Sequence, residues 1–165
     1  AFQDSQNRVV SMSLIHEELY KSRDMETLDF AAYLKKLTAD LLQSYRVRSD
    51  EISLKLDIEK VRFGMDTAIP LGIIINELVS NAFKYAFPRG GEGDISVCFG
   101  EGADRMLKLV VCDNGVGFAE DLNPEDSDSL GLKLVRSLTG QMGGEITFHN
   151  QNGLKCEIII QHAKA

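Results

Sequence analysis

At 165 residues, with 44% hydrophobic and 26% charged content, the chain is about one domain long and can bury a core of ordinary size. Its formal net charge of -7 sets the average surface against nucleic-acid backbones and anionic membranes, so neither is expected as a partner. Cys98, Cys112 and Cys156 are odd in number, lack metal-site spacing and fall in segments of strand character, which predicts reduced, buried thiols and a cytoplasmic location.

No apolar run approaches the ~18 residues of a membrane span. The opening AFQDSQNRVV carries neither an initiating Met nor a signal-peptide pattern, so the chain is read as a piece of a longer protein. Phe2, Ser5, Val9, Met12, His16 and Leu19 recur at alternating spacings of three and four, a coiled-coil-like seam too short to be stable alone. SRDMETLD interrupts it. Phe30, Leu34, Leu37, Leu41 and Tyr45 mark a second helix with Asp29 as its N-cap. Strict alternation predicts a strand over Glu51 to Ile58, with a shorter one around Val61 to Phe63. After Gly64, Asp66 or Thr67 is expected to cap a helix that Pro70 opens.

That helix contains INELVSNAFKYAF, Ile75 to Phe87. Wound at ~3.6 residues per turn, it places Ile75, Val79, Ala82 and Ala86 on one side and Glu77, Asn81, Lys84 and Tyr85 on the other. The first side is a core face. The second holds a carboxylate, an amide, an ammonium and a ring, and Asn and Ser are poor residues for a helix middle. PRGGEG then ends the helix, and strands are predicted over Asp94 to Phe99 and Met106 to Cys112, joined by GEGADR.

DNGVGFAEDLNPEDSDS comes next as a long loop without apolar periodicity, a candidate lid whose acidic end is more readily a solvated surface than a metal cluster. Within it, Gly115 and Gly117 let a ligand lie against bare backbone, while Asp113 at the strand end offers a fixed acceptor for an amino group. SLGLKLV opens the next helix, Leu130 to Met142. Ser129 stands at its N-cap and Gly131 in its first turn, where unpaired N–H groups and the helix dipole attract phosphate. Strands over Glu145 to His149 and Lys155 to Gln161, with NQNG as the turn, complete a two-layer α/β sandwich with a mixed sheet and helices on one face; the N-terminal helical segment would project from it or pair with another helix.

In this order and spacing the three polar segments resemble the catalytic ATP-binding domain of sensor histidine kinases, which has the Bergerat fold shared with the Hsp90, gyrase and mismatch-repair ATPases. INELVSNAFKYAF is similar to the N box of that family, DNGVGF to its G1 box and SLGLKLV to its G2 box. FQDSQNRVVSMSLIHEELY and MDTAIPLGIIINELVSNAFKYAFP are similar to the HisKA_2 subclass, related to the HWE kinases. The resemblance covers nearly the whole chain. It implies a partial dimerisation and phosphotransfer helix over residues 1–24, a catalytic domain over 25–165, and ATP and Mg²⁺ as ligands. A homodimer in the full-length protein and a response-regulator receiver domain as partner are implied with them.

By the same resemblance Asn81 holds Mg²⁺ against the phosphates, Lys84 reaches the phosphates, Tyr85 stacks beside adenine and Asp113 accepts the adenine amino group. Gly115 and Gly117 shape the floor and lid hinge, and Gly131 and Leu132 close over the triphosphate, with Ser129 at the helix cap counted among the nucleotide-binding residues. Glu77 is assigned to the metal or its waters. Two alternatives stay open: an ATPase in which Glu77 activates water, and a nucleotide-dependent scaffold without enzymatic activity. Asn152, Gly153 and Leu154 stand where the family often has Gly-Gly-Thr. The resemblance puts the phosphoacceptor histidine on a helix other than that of His16, and His16, His149 and His162 are read as structural or solvated. The chain alone is therefore expected to bind nucleotide without efficient self-phosphorylation.

Overall fold

A computed structural model describes Val9, Ser13, Glu17 and residues 29–45, 51–61, 64–88, 91–102, 104–118, 129–150 and 152–161. The elements are α1 (Phe30–Ser44), β1 (Ile52–Ile58), α2 (Met65–Asn81) with a π-helical turn Ala82–Ala86, β2 (Gly93–Glu101), β3 (Met106–Asp113), α3 (Leu130–Gln141), β4 (Glu145–Asn150) and β5 (Leu154–Gln161). The strands form one five-stranded sheet in the order β1-β2-β3-β5-β4. β1 and β2 are parallel and joined by the α2 crossover, while the remaining pairs are antiparallel. The expected mixed sheet in a two-layer sandwich is present.

Alternation along the strands sets the two faces. Val97 and Phe99, Leu107, Leu109 and Val111, and Cys156, Ile158 and Ile160 point inwards and share one buried cluster with Leu34, Leu37 and Leu41 of α1, Leu71, Ile75 and Val79 of α2, and Leu132 and Val135 of α3. Burying each such side chain contributes roughly 1.5–3 kcal/mol before chain entropy is counted. The other sheet face is open and charged, with Lys55 on Asp94 at 3.0 Å and Glu157 held by both Lys108 at 3.0 Å and Lys155 at 3.2 Å.

Asp29 caps α1 as its sequence predicts, its Oδ1 accepting from the Ala32 N–H at 3.0 Å. Three expectations are corrected. α2 starts at Met65, with Gly64 as N-cap and no side-chain cap, so neither Asp66 nor Thr67 caps it and Pro70 lies inside the helix. The donor missing at Pro70 would have served the carbonyl of Asp66, an exposed residue in the first turn. Val61 is not in a strand, its N–H instead donating to the Glu59 carbonyl in a tight turn; residues 62–63 lie outside the described ones. Cys156 is buried, but Cys98 and Cys112 are half-exposed, because strand alternation turns them onto the open face.

Val9, Ser13 and Glu17 are helical and exposed, and the Glu17 carboxylate pairs with Lys36 of α1 at 2.6 Å. The rest of the N-terminal seam, the candidate lid 119–128, His16 and His162 lie outside the described residues. Among the described residues no helix is long and apolar enough to cross a membrane.

Candidate nucleotide site

The apolar side of α2 and its π-helical turn packs as its spacing predicts, with Ile75, Val79, Ala82 and Ala86 buried. The polar residues are not a solvated face. Asn76, Ser80 and Glu77 are 1%, 4% and 5% exposed, which places a carboxylate and two neutral polar groups inside the fold. Asn76 Nδ2 donates to Glu77 Oε1 at 3.4 Å, while Asn76 Oδ1 and Ser80 Oγ have no hydrogen-bond partner among the described residues. Unpartnered polar atoms at such burial cost free energy and call for explanation by function or by a bound group.

The π-helical turn re-aims the side chains beyond Asn81. Each i→i+5 turn holds more residues than an α-turn, so those side chains rotate back relative to an α-helical continuation. Tyr85 thereby joins Asn81 on the wall of a cavity, its ring 66% exposed at the rim. Lys84 does not line that cavity. Its Nζ lies 5.7 Å from the centroid of the Tyr45 ring, a cation–π distance, because the same rotation swings it towards α1.

The loop Asp113 to Phe118 is pinned from several elements. Asp113 Oδ1 accepts from the Gly115 N–H at 2.9 Å and the Leu154 N–H at 3.3 Å, while Oδ2 accepts no hydrogen bond among the described residues. Asn114 Oδ1 accepts from the Asp94 N–H at 2.7 Å, and the Val116 N–H donates to the Ala86 carbonyl at 2.9 Å. Gly115 packs so closely on Ala86 that a Cβ there would collide with its carbonyl. Asn150 grips Phe118 by both main-chain groups, its Oδ1 accepting from N–H at 2.9 Å and its Nδ2 donating to the carbonyl at 2.8 Å.

Across from this loop stands the N-terminus of α3. Ser129 caps it, its Oγ accepting from the Leu132 N–H at 3.3 Å. A Cβ on Gly131 would lie 2.7 Å from Glu77 Oε2 and 3.8 Å from Asn81 Nδ2, so glycine leaves a cradle between the helix N-terminus and the polar residues of α2. The cavity enclosed between α2, the loop and α3 measures about 330 Å³.

Asn81, Tyr85, Asp113, Gly117, Ser129 and Leu132 line this cavity; Glu77 and Gly131 flank it, and Gly115, in the loop, packs on Ala86 without lining it. The sequence did not single out Leu78 and Leu154, which also line it, or Asn150, which holds its wall. Leu78 carried the signal of an apolar residue one position from a polar stripe; Asn150 carried none, since its partner is 32 residues away.

The lining suits an adenine nucleotide, combining the Asp113 carboxylate and apolar Leu78, Leu132 and Leu154 with the Ser129-capped N-terminus of α3 and Asn81. Glu77 offers a hard carboxylate oxygen of the kind Mg²⁺ takes together with phosphate oxygens, and the Asn81 amide, whose Oδ1 is the second oxygen donor, stands beside it at the Gly131 cradle with Nδ2 the nearer atom.

Residues 66–164 match the family HATPase_c, described as histidine kinase-, DNA gyrase B-, and HSP90-like ATPase, and residues 1–45 match HisKA_2, described as histidine kinase. The sensor histidine kinase PdtaS of Mycobacterium tuberculosis is 29% identical over 166 residues, and that of Mycolicibacterium smegmatis 32% identical over 165. Each alignment covers 96% of this chain, which spans 31% and 32% of the length of those relatives. The histidine kinase domain of the Erythrobacter litoralis blue-light activated histidine kinase superposes with a TM-score of 0.86 at 23% identity, covering 96% of this chain and 75% of that one, and so shares the fold. Motif order, cavity and family match agree: this chain belongs to the histidine kinase-, DNA gyrase B-, and HSP90-like ATPase family, with a HisKA_2 histidine kinase segment at its front.

Proposed function

We propose that the chain is the ATP-binding catalytic part of a sensor histidine kinase, presenting Mg²⁺-ATP for phosphorylation of a histidine on the dimerisation hairpin. The observation that carries this is one cavity lined by two unlike groups: the Asp113 carboxylate, whose Oδ2 would take a base amino group, and the Ser129-capped start of α3 beside Asn81, which would take phosphates. Phosphoryl transfer depends chiefly on alignment and neutralisation of charge, which such a site supplies without a covalent intermediate.

In this scheme Leu78, Leu132 and Leu154 hold the base by apolar contact, with Tyr85 beside it at the rim. Asp113 fixes its register. The N–H groups of Leu130 and Gly131 in the first turn of α3 receive phosphate oxygens, and Gly115 and Gly117 shape the wall. Asn81 and Glu77 would hold Mg²⁺, which supplies charge neutralisation for the phosphates. Residues 1–24 belong to the hairpin and residues 25–165 to the catalytic domain, in a cytoplasmic part of a homodimer that passes the phosphoryl group to a response-regulator receiver domain.

If the same site instead hydrolysed ATP, the group to activate water would be Glu77, buried beside Gly131. γ-Labelled ATP separates the two. Label on a histidine of a longer chain carrying the complete hairpin, lost in Asn81→Ala, supports the kinase. Steady phosphate release that Glu77→Ala abolishes, with no labelled histidine, replaces it with the hydrolase.

A further inference from the structure

We propose that Asn150 is a positioning residue of the nucleotide cavity, holding the Gly117–Phe118 wall in its binding geometry without touching the ligand; this rests on the reading of the cavity as a nucleotide site. Asn150 does not line the cavity, whereas Gly117 and Phe118 do. Its amide supplies Phe118 with an acceptor at 2.9 Å and a donor at 2.8 Å, the pair of bonds a neighbouring strand would give. Asparagine suits this task because one planar group carries both functions. Asp would offer no donor and would set a carboxylate against the Phe118 carbonyl.

The preceding glycine is part of the same device. Gly117 adopts φ +66, and a Cβ there would collide with Asn150 Oδ1, so the amide occupies the space glycine leaves. Asn150 is in turn fixed at the end of β4, paired with Leu154, whose N–H donates to Asp113 Oδ1 at 3.3 Å. The β4–β5 turn, Asp113 and Phe118 are thereby tied into one unit, and a change at Asn150 reaches both the base acceptor and the wall.

The test is calorimetric affinity for a non-hydrolysable ATP analogue with Mg²⁺, well below the melting temperature, for wild type, Asn150→Ala and Ile158→Val. The last is a core change four residues from Leu154 along β5 that reports the effect of lost stability alone. Amide hydrogen exchange at Phe118 accompanies it. Asn150→Ala is expected to bind about tenfold more weakly and to expose the Phe118 amide, while Ile158→Val keeps wild-type affinity. Equal affinity in Asn150→Ala and wild type overturns the proposal and leaves the nucleotide site standing; no binding by wild type overturns both. Should Asn150→Ala fail to fold, the wild-type Phe118 amide decides: protection without nucleotide is required, and exchange at the rate of open chain refutes the clamp.

Discussion

At the scale of single residues, Asp113 separates two jobs by oxygen. Oδ1 serves the Gly115 and Leu154 N–H groups, and in the proposed site Oδ2 takes the base amino group. Asp113→Asn, with its oxygen in the Oδ1 position, keeps the structural bonds but turns a donor towards a donor on the base. It is therefore expected to cost about 10- to 100-fold in nucleotide affinity with a small change in melting temperature, by calorimetry and thermal denaturation. Asp113→Ala should lose both. Gly115→Ala is a stability test instead, since its methyl group would meet the Ala86 carbonyl; a loss of about 1–3 kcal/mol in denaturant unfolding is expected. Asp113, Asn81 and the glycines were legible because their residue types are costly where they stand unless a ligand or a tight backbone needs them. The direction of Lys84 was not, since a local π-helical turn changes the helical angle without a sequence marker.

At the scale of elements, the open sheet face carries an acid-sensitive tie between β3 and β5. Hydrogen bonds from Lys108 and then Lys155 hold the Glu157 carboxyl below its ordinary value of 4.5. A depressed carboxyl contributes stability above its unfolded pKa and loses it as the pH falls through the folded one. The gap in melting temperature between wild type and Glu157→Gln should therefore be widest near neutrality and close on titration from about pH 6 to about pH 3. The cysteines give a second check. Burial pushes the Cys156 thiol up to about 12, while Cys98 and Cys112 lie half-exposed on the open face. In the native protein alkylation should consume Cys98 and Cys112 before Cys156, by mass spectrometry of digests. Alternation in the sequence marked every strand of the described sheet; the short strand expected around Val61 does not include Val61 itself, whose N–H closes a tight turn on Glu59, and residues 62–63 lie outside the described ones. The order of the strands, with β5 between β3 and β4, depends on the long connection through α3, which alternation alone does not specify.

At the scale of the molecule, α2 is the element on which everything converges. It crosses from β1 to β2, buries Asn76, Glu77 and Ser80, and brings Asn81 and Tyr85 to a cavity whose opposite side comes from β3 and α3. A ligand seated there binds the folded state alone, so saturation at a hundredfold excess over its dissociation constant should stabilise the fold by about 2.7 kcal/mol. The measurement that decides nucleotide binding most directly is calorimetric titration of the chain with a non-hydrolysable ATP analogue, with and without Mg²⁺, beside Asn81→Ala and Asp113→Ala. Binding that Mg²⁺ strengthens in wild type, that loses its metal dependence in Asn81→Ala and that falls away in Asp113→Ala is the expected result. Absence of binding by the wild type, or affinities that neither substitution changes, would contradict it.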